Sequence, residues 1–178
     1  MDPTREDQLS FAKHFAHAQG WLLLENFRAA QRSLAKIPPA YRRRPEVMAL
    51  RAHIHLAAHD WAKAAPLLRR LVKLAPGDPE HWVSLAYAVR RAESLAAAEV
   101  ILQEARARFP GVAVIWFNLA CYASQQARWS EVETFLAEAI HLEPAFGDAG
   151  KTDADLTPYW FHAKKQERAA TDEKHPPS

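Results

Sequence analysis

Apolar residues recur along this chain at spacings of three and four, the signature of amphipathic helices, and no stretch alternates in the manner of a strand. Trp82, Leu85, Ala86 and Val89 form one such stripe, and Leu95, Ala98, Ile101, Leu102 and Ala105 form the next. A shift of 34 residues superimposes the pattern on itself without a gap. Ala18, Ala52, Ala86 and Ala120 share one column; Leu34, Leu68, Leu102 and Leu136 share another. Phe27, Trp61, Leu95 and Trp129 form a third, and Ala30, Ala64, Ala98 and Val132 a fourth. Met48, Trp82 and Trp116 open successive units, which Pro76, Pro110 and Pro144 close. The pattern predicts an all-α chain with eight repeat helices in antiparallel pairs from about residue 9 to 143, followed by a C-terminal cap.

Local chemistry marks the turns. Asn26, Asp60 and Ser94 occupy one column just ahead of the second helix of a pair, where each can cap it. The fourth copy has Arg128 there, so capping is expected to pass to Ser130. Pro38-Pro39 cuts short the second helix of the first unit, and Pro66 predicts a kink inside the corresponding helix of the second.

The motif Trp82-x-x-Leu85-Ala86, with Ala98-x-x-x-Leu102, Ala105 and Pro110, resembles the tetratricopeptide repeat. Trp116-x-x-Leu119-Ala120, Leu136, Ala139 and Pro144 repeat it, and the resemblance covers about residues 11–144. Asn118 to Tyr122 and Asp153 to Trp160 resemble the ending of small bacterial proteins of this family, which close with a cap. The resemblance implies a right-handed α-solenoid and contact with other proteins, not catalysis. The expected organisation is a lead-in over 1–10 and repeats over 11–44, 45–78, 79–112 and 113–144. A cap over 145–162 and a disordered tail over 163–178 complete it.

Stacked first helices would line a concave groove. The residues expected to face it and hold a partner peptide or helix are Phe15, Leu50, His53, Tyr87, Arg90, Phe117 and Asn118. The alternative is that the C-terminal segment, with Tyr159, Trp160 and Phe161, folds back into that groove. The family's clamp for the C-terminal carboxylate of heat-shock chaperones is not expected. Its places hold Phe15, Gln19, Leu50, Glu80 and Ser84 in one register, and Ala49, His53, Ser84, Val114 and Asn118 in the other. Neither set is a cationic grip.

Charge narrows the partner further. The chain has 23 basic and 21 acidic residues, a balance that argues against nucleic acid or an anionic membrane as the main partner. A basic-patch nucleic-acid binder built on Arg42, Arg43, Arg44, Lys63, Arg69 and Arg70 is the first rival reading. A metal protein built on His14/His17 or His55/His59 is the second, weakened because zinc needs three or four ligands. No metal or cofactor is expected. One cysteine, Cys121, leaves no intrachain disulfide, and its neighbours are apolar rather than activating. The polar N-terminus and the lack of a long apolar run lead to the expectation of a cytoplasmic protein.

Overall fold

A computed structural model describes residues 4–174, and side chains as far as residue 168. The described residues are all helical or connecting, with ten α-helices and two 3₁₀ turns. The chain divides into two compact units, Met1–Ile101 and Leu102–Ser178.

In the first unit, α1 (Arg5–Leu23) pairs with α2 (Phe27–Ala35), α3 (Pro45–Ala57) pairs with α4 (Trp61–Leu74), and α5 (Pro79–Ala92) packs on α4. Helix α6 (Leu95–Arg108) crosses the boundary between the units. In the second unit, α7 (Ala113–Gln125) pairs with α8 (Trp129–Leu142). A short α9 (Phe146–Thr152), a 3₁₀ turn (Ala154–Leu156) and α10 (Thr157–Lys174) follow.

The small-residue columns are what the helix pairs close upon. Ala18, Ala52, Ala86 and Ala120 are at most 1% exposed, and Ala30, Ala64, Ala98 and Val132 are fully buried. A methyl group at these places lets two helix backbones approach without leaving a void. Leu34, Leu68, Leu102 and Leu136 fill the space beside them and are buried too. Phe27, Trp61, Leu95 and Trp129 are only half-buried.

The indole of Trp82 donates from Nε1 to the carbonyl of Pro76 at 3.1 Å, and Trp116 donates to Pro110 at 2.8 Å. Each indole thus hydrogen-bonds the proline that ends the preceding helix pair. Trp82 is buried, and the polar edge of a buried indole needs such a partner; Trp116 is half-buried.

All four turns within the pairs close with one backbone bond. The N–H groups of Asn26, Asp60, Ser94 and Arg128 donate to the carbonyls of Trp21, His55, Val89 and Ala123 at 2.8–3.2 Å. The third turn makes it with Glu93 at φ −128°; in the other three it is the six-to-one bond of a Schellman ending, which calls for a left-handed residue just before the donor. Glu25, His59 and Ala127 supply it with φ of 54°, 57° and 56°. Glycine is the usual occupant, because a Cβ in this conformation costs about 1–2 kcal/mol. Ala127 is exposed and has no other side-chain role. Ala127→Gly is therefore expected to stabilise the protein by about 0.5–1 kcal/mol after the extra flexibility of the unfolded chain is subtracted. A higher Tm in a thermal melt supports this; a lower one contradicts it.

The structure corrects several expectations. The lead-in is helical: α1 starts at Arg5, because Thr4 and Asp7 form a reciprocal capping box. The tail is helical from 163 to 174 as part of α10, and only residues 175–178 of the expected disordered stretch lie outside the described residues. Asn26 and Ser94 cap as expected, accepting from Ala29 and Ala97 N–H groups at 3.1 Å. Asp60 does not cap; its carboxylate pairs with Lys63 at 2.7 Å instead. Nor does capping pass to Ser130: Arg128 holds the N-cap place without a side-chain cap and pairs with Glu131 at 2.7 Å. Helix α2 is short, with nine residues, as Pro38-Pro39 requires. Pro66 sits exposed within α4, which stays α-helical from Trp61 to Leu74.

Candidate functional site

Unit one presents an exposed aromatic and cationic cluster. Tyr87 on α5 is 41% exposed, and its ring meets Trp61 edge-on, with centroids 5.3 Å apart at 90°. Trp61 opens α4 and stacks on His59 at 5.1 Å. The guanidinium of Arg91 lies 5.1 Å from the Tyr87 ring and 5.8 Å from the Trp61 ring. Residues 87 and 91 are one turn apart on α5, which is why both reach the same indole. An arginine over two rings is held in place without losing its charge, so it can still meet an anion.

In the same unit, His53 on α3 places Nε2 3.8 Å from the Glu80 carboxylate at the start of α5. His55, two residues on, has Nδ1 3.5 Å from Asp60. Burial lowers its pKa, and the Asp60 charge offsets only part of that.

The seven predicted groove residues separate by environment. In unit one, Phe15 is half-buried against Ala18, Leu34 and their neighbours and stacks near Phe11 at 5.5 Å. Leu50 is 7% exposed and belongs to the same core. His53, Tyr87 and Arg90 are at least partly accessible. In unit two, Phe117 is 8% exposed and covered by Phe146, with ring centroids 4.7 Å apart. Asn118 is half-buried, and its amide Nδ2 donates to the Val114 carbonyl at 2.9 Å. Leu50 and Phe117 are thus packing residues.

Trp61 was not among the predicted site residues, because it occupies a repeat column that reads as structural. Its column is half-buried rather than core, and an indole where the fourth repeat also has Trp129 was the available signal.

The C-terminal segment lies over α7 in unit two. Leu156 is fully buried, and the 3₁₀ turn that carries it packs on α7. Gln125 on α7 donates to the Asp155 carbonyl at 2.9 Å, and Trp160 donates to the Gly150 carbonyl at 2.7 Å. Trp129 stacks on His162 at 4.6 Å. Phe161 points away and is 74% exposed.

The residues of the two rival readings have local duties. Arg42 donates to the carbonyls of Ile37 and Ala35, which end α2. Arg44 lies 4.3 Å over the Tyr41 ring and pairs with Glu46. Arg69 grips Glu93 at 2.7 Å, and Lys63 grips Asp60. His14 and His17 meet edge to face at 6.2 Å. Among the described residues, the one group of three close metal-type donors is Cys121, Asp153 and Asp155. Asp153 accepts the Asp155 N–H at 2.8 Å to cap the 3₁₀ turn.

Residues 45–88, the helix pair α3–α4 and the start of the next, match the tetratricopeptide repeat family. The chain has the tetratricopeptide-repeat fold. Solved structures agree along almost its whole length. The crystal structure of MamA protein is 16% identical with a TM-score of 0.71, covering 95% of this chain and 97% of its own. MamA 41-end from Desulfovibrio magneticus RS-1 is 14% identical with a TM-score of 0.69, covering 99% and 100%. YrrB, described as a TPR protein with an unusual peptide-binding site, is 18% identical with a TM-score of 0.65, covering 85% and 73%. No curated protein sequence matches the chain. At these identities the similarity is one of fold, which makes the chain an all-α tetratricopeptide-type solenoid. Among the described residues of that solenoid, no helix is long and apolar enough to cross a membrane.

Proposed function

We propose that this tetratricopeptide-fold chain is a protein-binding adaptor that holds a peptide or helical segment of a partner against the first helices of its repeats. The exposed cluster of Trp61, Tyr87 and Arg91 carries the reading. Tyrosine, tryptophan and arginine are the residues that most often dominate interface energies, and here they are pre-ordered by one another. His53 and Arg90, also in unit one, are partly accessible and belong to the proposed surface. The description of YrrB as having a peptide-binding site supports the class of ligand. Of the other residues expected at the groove, Leu50 packs in the core of unit one with Phe15 against it, and Phe117 packs under Phe146 in unit two.

This reading is favoured over the nucleic-acid alternative because Arg42, Arg44, Lys63 and Arg69 are committed to carbonyls, rings and carboxylates. Phosphate binding would have to compete with each. The adaptor is not expected to act as an enzyme or to need a cofactor, and a cytoplasmic location remains the accompanying proposal.

The test is selection from a displayed peptide library, followed by titration of the winning peptide into variants. Tyr87→Ala is expected to weaken binding by about 1–3 kcal/mol, and Arg91→Glu to weaken it for acidic winners. Helical content and Tm should hold, since both side chains lie outside the buried columns. Peptides that bind equally well to both variants would exclude this surface.

A further inference from the structure

Two adjoining clefts lie along α1, away from the Trp61 cluster's residues, and share His17 and Trp21 as their common wall. The larger, about 340 Å³, is lined by Lys13 and His14 of α1 and by Arg32 and Lys36 of α2. The smaller, about 280 Å³, is apolar and lined by Ala16, Gly20 and Leu24. Lys13, His17, Gly20 and Leu24 follow helical spacing along one side of α1, whereas Phe11, Phe15, Ala18 and Leu22 turn to the core.

The cationic cleft differs from the other basic groups of the protein. Arg44, Lys63, Arg69, Arg108, Arg128 and Lys151 each contact a carboxylate. Among the described residues, no carboxylate pairs with Lys13, Arg32 or Lys36, and no acidic side chain lines the cleft. Like charges gathered without a counter-charge repel, and the effect is felt locally. Burial lowers the His14 pKa, and Lys13, Lys36 and His17 lower it further. The apolar neighbour is exposed in the same place: Trp21 is 39% and Leu24 71% accessible. A bound carboxylate would relieve the first imbalance and an apolar side chain the second.

We propose that this α1–α2 face is a second docking site, which takes an acidic peptide segment of a partner protein carrying one large apolar side chain. The carboxylates sit among Lys13, Arg32 and Lys36, and the apolar side chain lies against Trp21 and Leu24. Charge complementarity and the shared wall set the order: the anchor residue is flanked by acids, not separated from them.

The probe is a fluorescein-labelled peptide of aspartate and glutamate around one central phenylalanine, titrated into the full chain and read by anisotropy. Saturable binding is expected that falls steeply with salt. Replacing the peptide's acids by their amides, or combining Lys13→Glu with Lys36→Glu, should weaken it about tenfold or more. Replacing the phenylalanine by serine, or Trp21→Ala, should weaken it several-fold. The milder pair Lys13→Gln and Lys36→Gln keeps the test valid should charge reversal disturb α1, with circular dichroism as the control. Tyr87→Ala and Arg91→Glu should leave this binding unchanged, which separates the site from the adaptor surface. The proposal fails if the amide peptide binds as well as the acidic one, or if the α1 variants bind like the parent. It fails equally if only the Tyr87 and Arg91 variants lose the peptide, if an oligoribonucleotide displaces it at lower concentration, or if chain self-association measured by light scattering blocks it.

Discussion

Trp82→Ala is expected to cost about 3–5 kcal/mol of unfolding free energy, a large part of what a domain of this size holds. The indole is only 5% exposed and sits among Leu85, Ala86 and Val89, all buried. Truncation leaves a cavity that the flanking helices cannot close, because α5 is already seated on α4 through small residues. It also strands the Pro76 carbonyl, which accepts the indole N–H. Chemical denaturation followed by circular dichroism measures the loss. Tyr87→Ala, five residues along the same helix but exposed, should change the midpoint little. Equal losses for the two variants would refute the division between core and surface on α5.

The second large effect belongs to the C-terminal segment. Ending the chain at Thr152 removes the 3₁₀ turn and α10, and with them the buried Leu156 and the bond from Gln125 to Asp155. Apolar surface on α7 then faces water at about 25 cal/mol per Å². The truncated protein is expected to bind a hydrophobic dye, to lose cooperativity and to aggregate. Leu156→Ala isolates the central contact and should cost about 2–5 kcal/mol. A truncated chain that melts like the parent and ignores the dye would show that the segment is not a cap. Gly150 belongs to the same arrangement: a Cβ there would come within 3.3 Å of Leu136 and 3.4 Å of Leu156, so the chain passes where only glycine fits without displacement.

The repeat architecture was legible because it is written in positions that packing dictates. A column of alanine where two backbones meet, or of leucine where a hole must be filled, survives translation by 34 residues with little change. Boundaries were less legible. Thr4 and Asp7 carry a capping signal as clear as any in the chain, yet a polar, acidic opening reads as lead-in. The end of α10 lacks large apolar groups, and composition alone argued against its helix. Asp60 is a good capping residue by type, yet its carboxylate turns to Lys63 three places on and makes no cap.

The candidate surface was legible only in part. Register placed Leu50, Tyr87 and Phe117 on the first helices but could not tell which of them later segments would cover. Phe146 comes from beyond the repeats, and nothing in the repeat period announces that it will lie on Phe117. Trp61 poses the opposite case, an indole in a structural column that stays half-open and lends its face to Arg91.

The bonds from Trp82 to Pro76 and from Trp116 to Pro110 have a bearing on how such a chain can change length. Each is made between an aromatic at the start of one helix pair and the carbonyl six residues before it, so the joint is complete within a short stretch of sequence. A duplicated segment running from 79 to 112 would carry its own Trp82 in and its own Pro110 out. It would present to both neighbours the half-joint they already expect. Gain or loss of whole helix pairs therefore leaves the seams unaltered, whereas an insertion between 76 and 82 or between 110 and 116 parts a tryptophan from its proline. Because each joint is local, the array can lengthen by copying a whole pair without any new kind of contact at its seams.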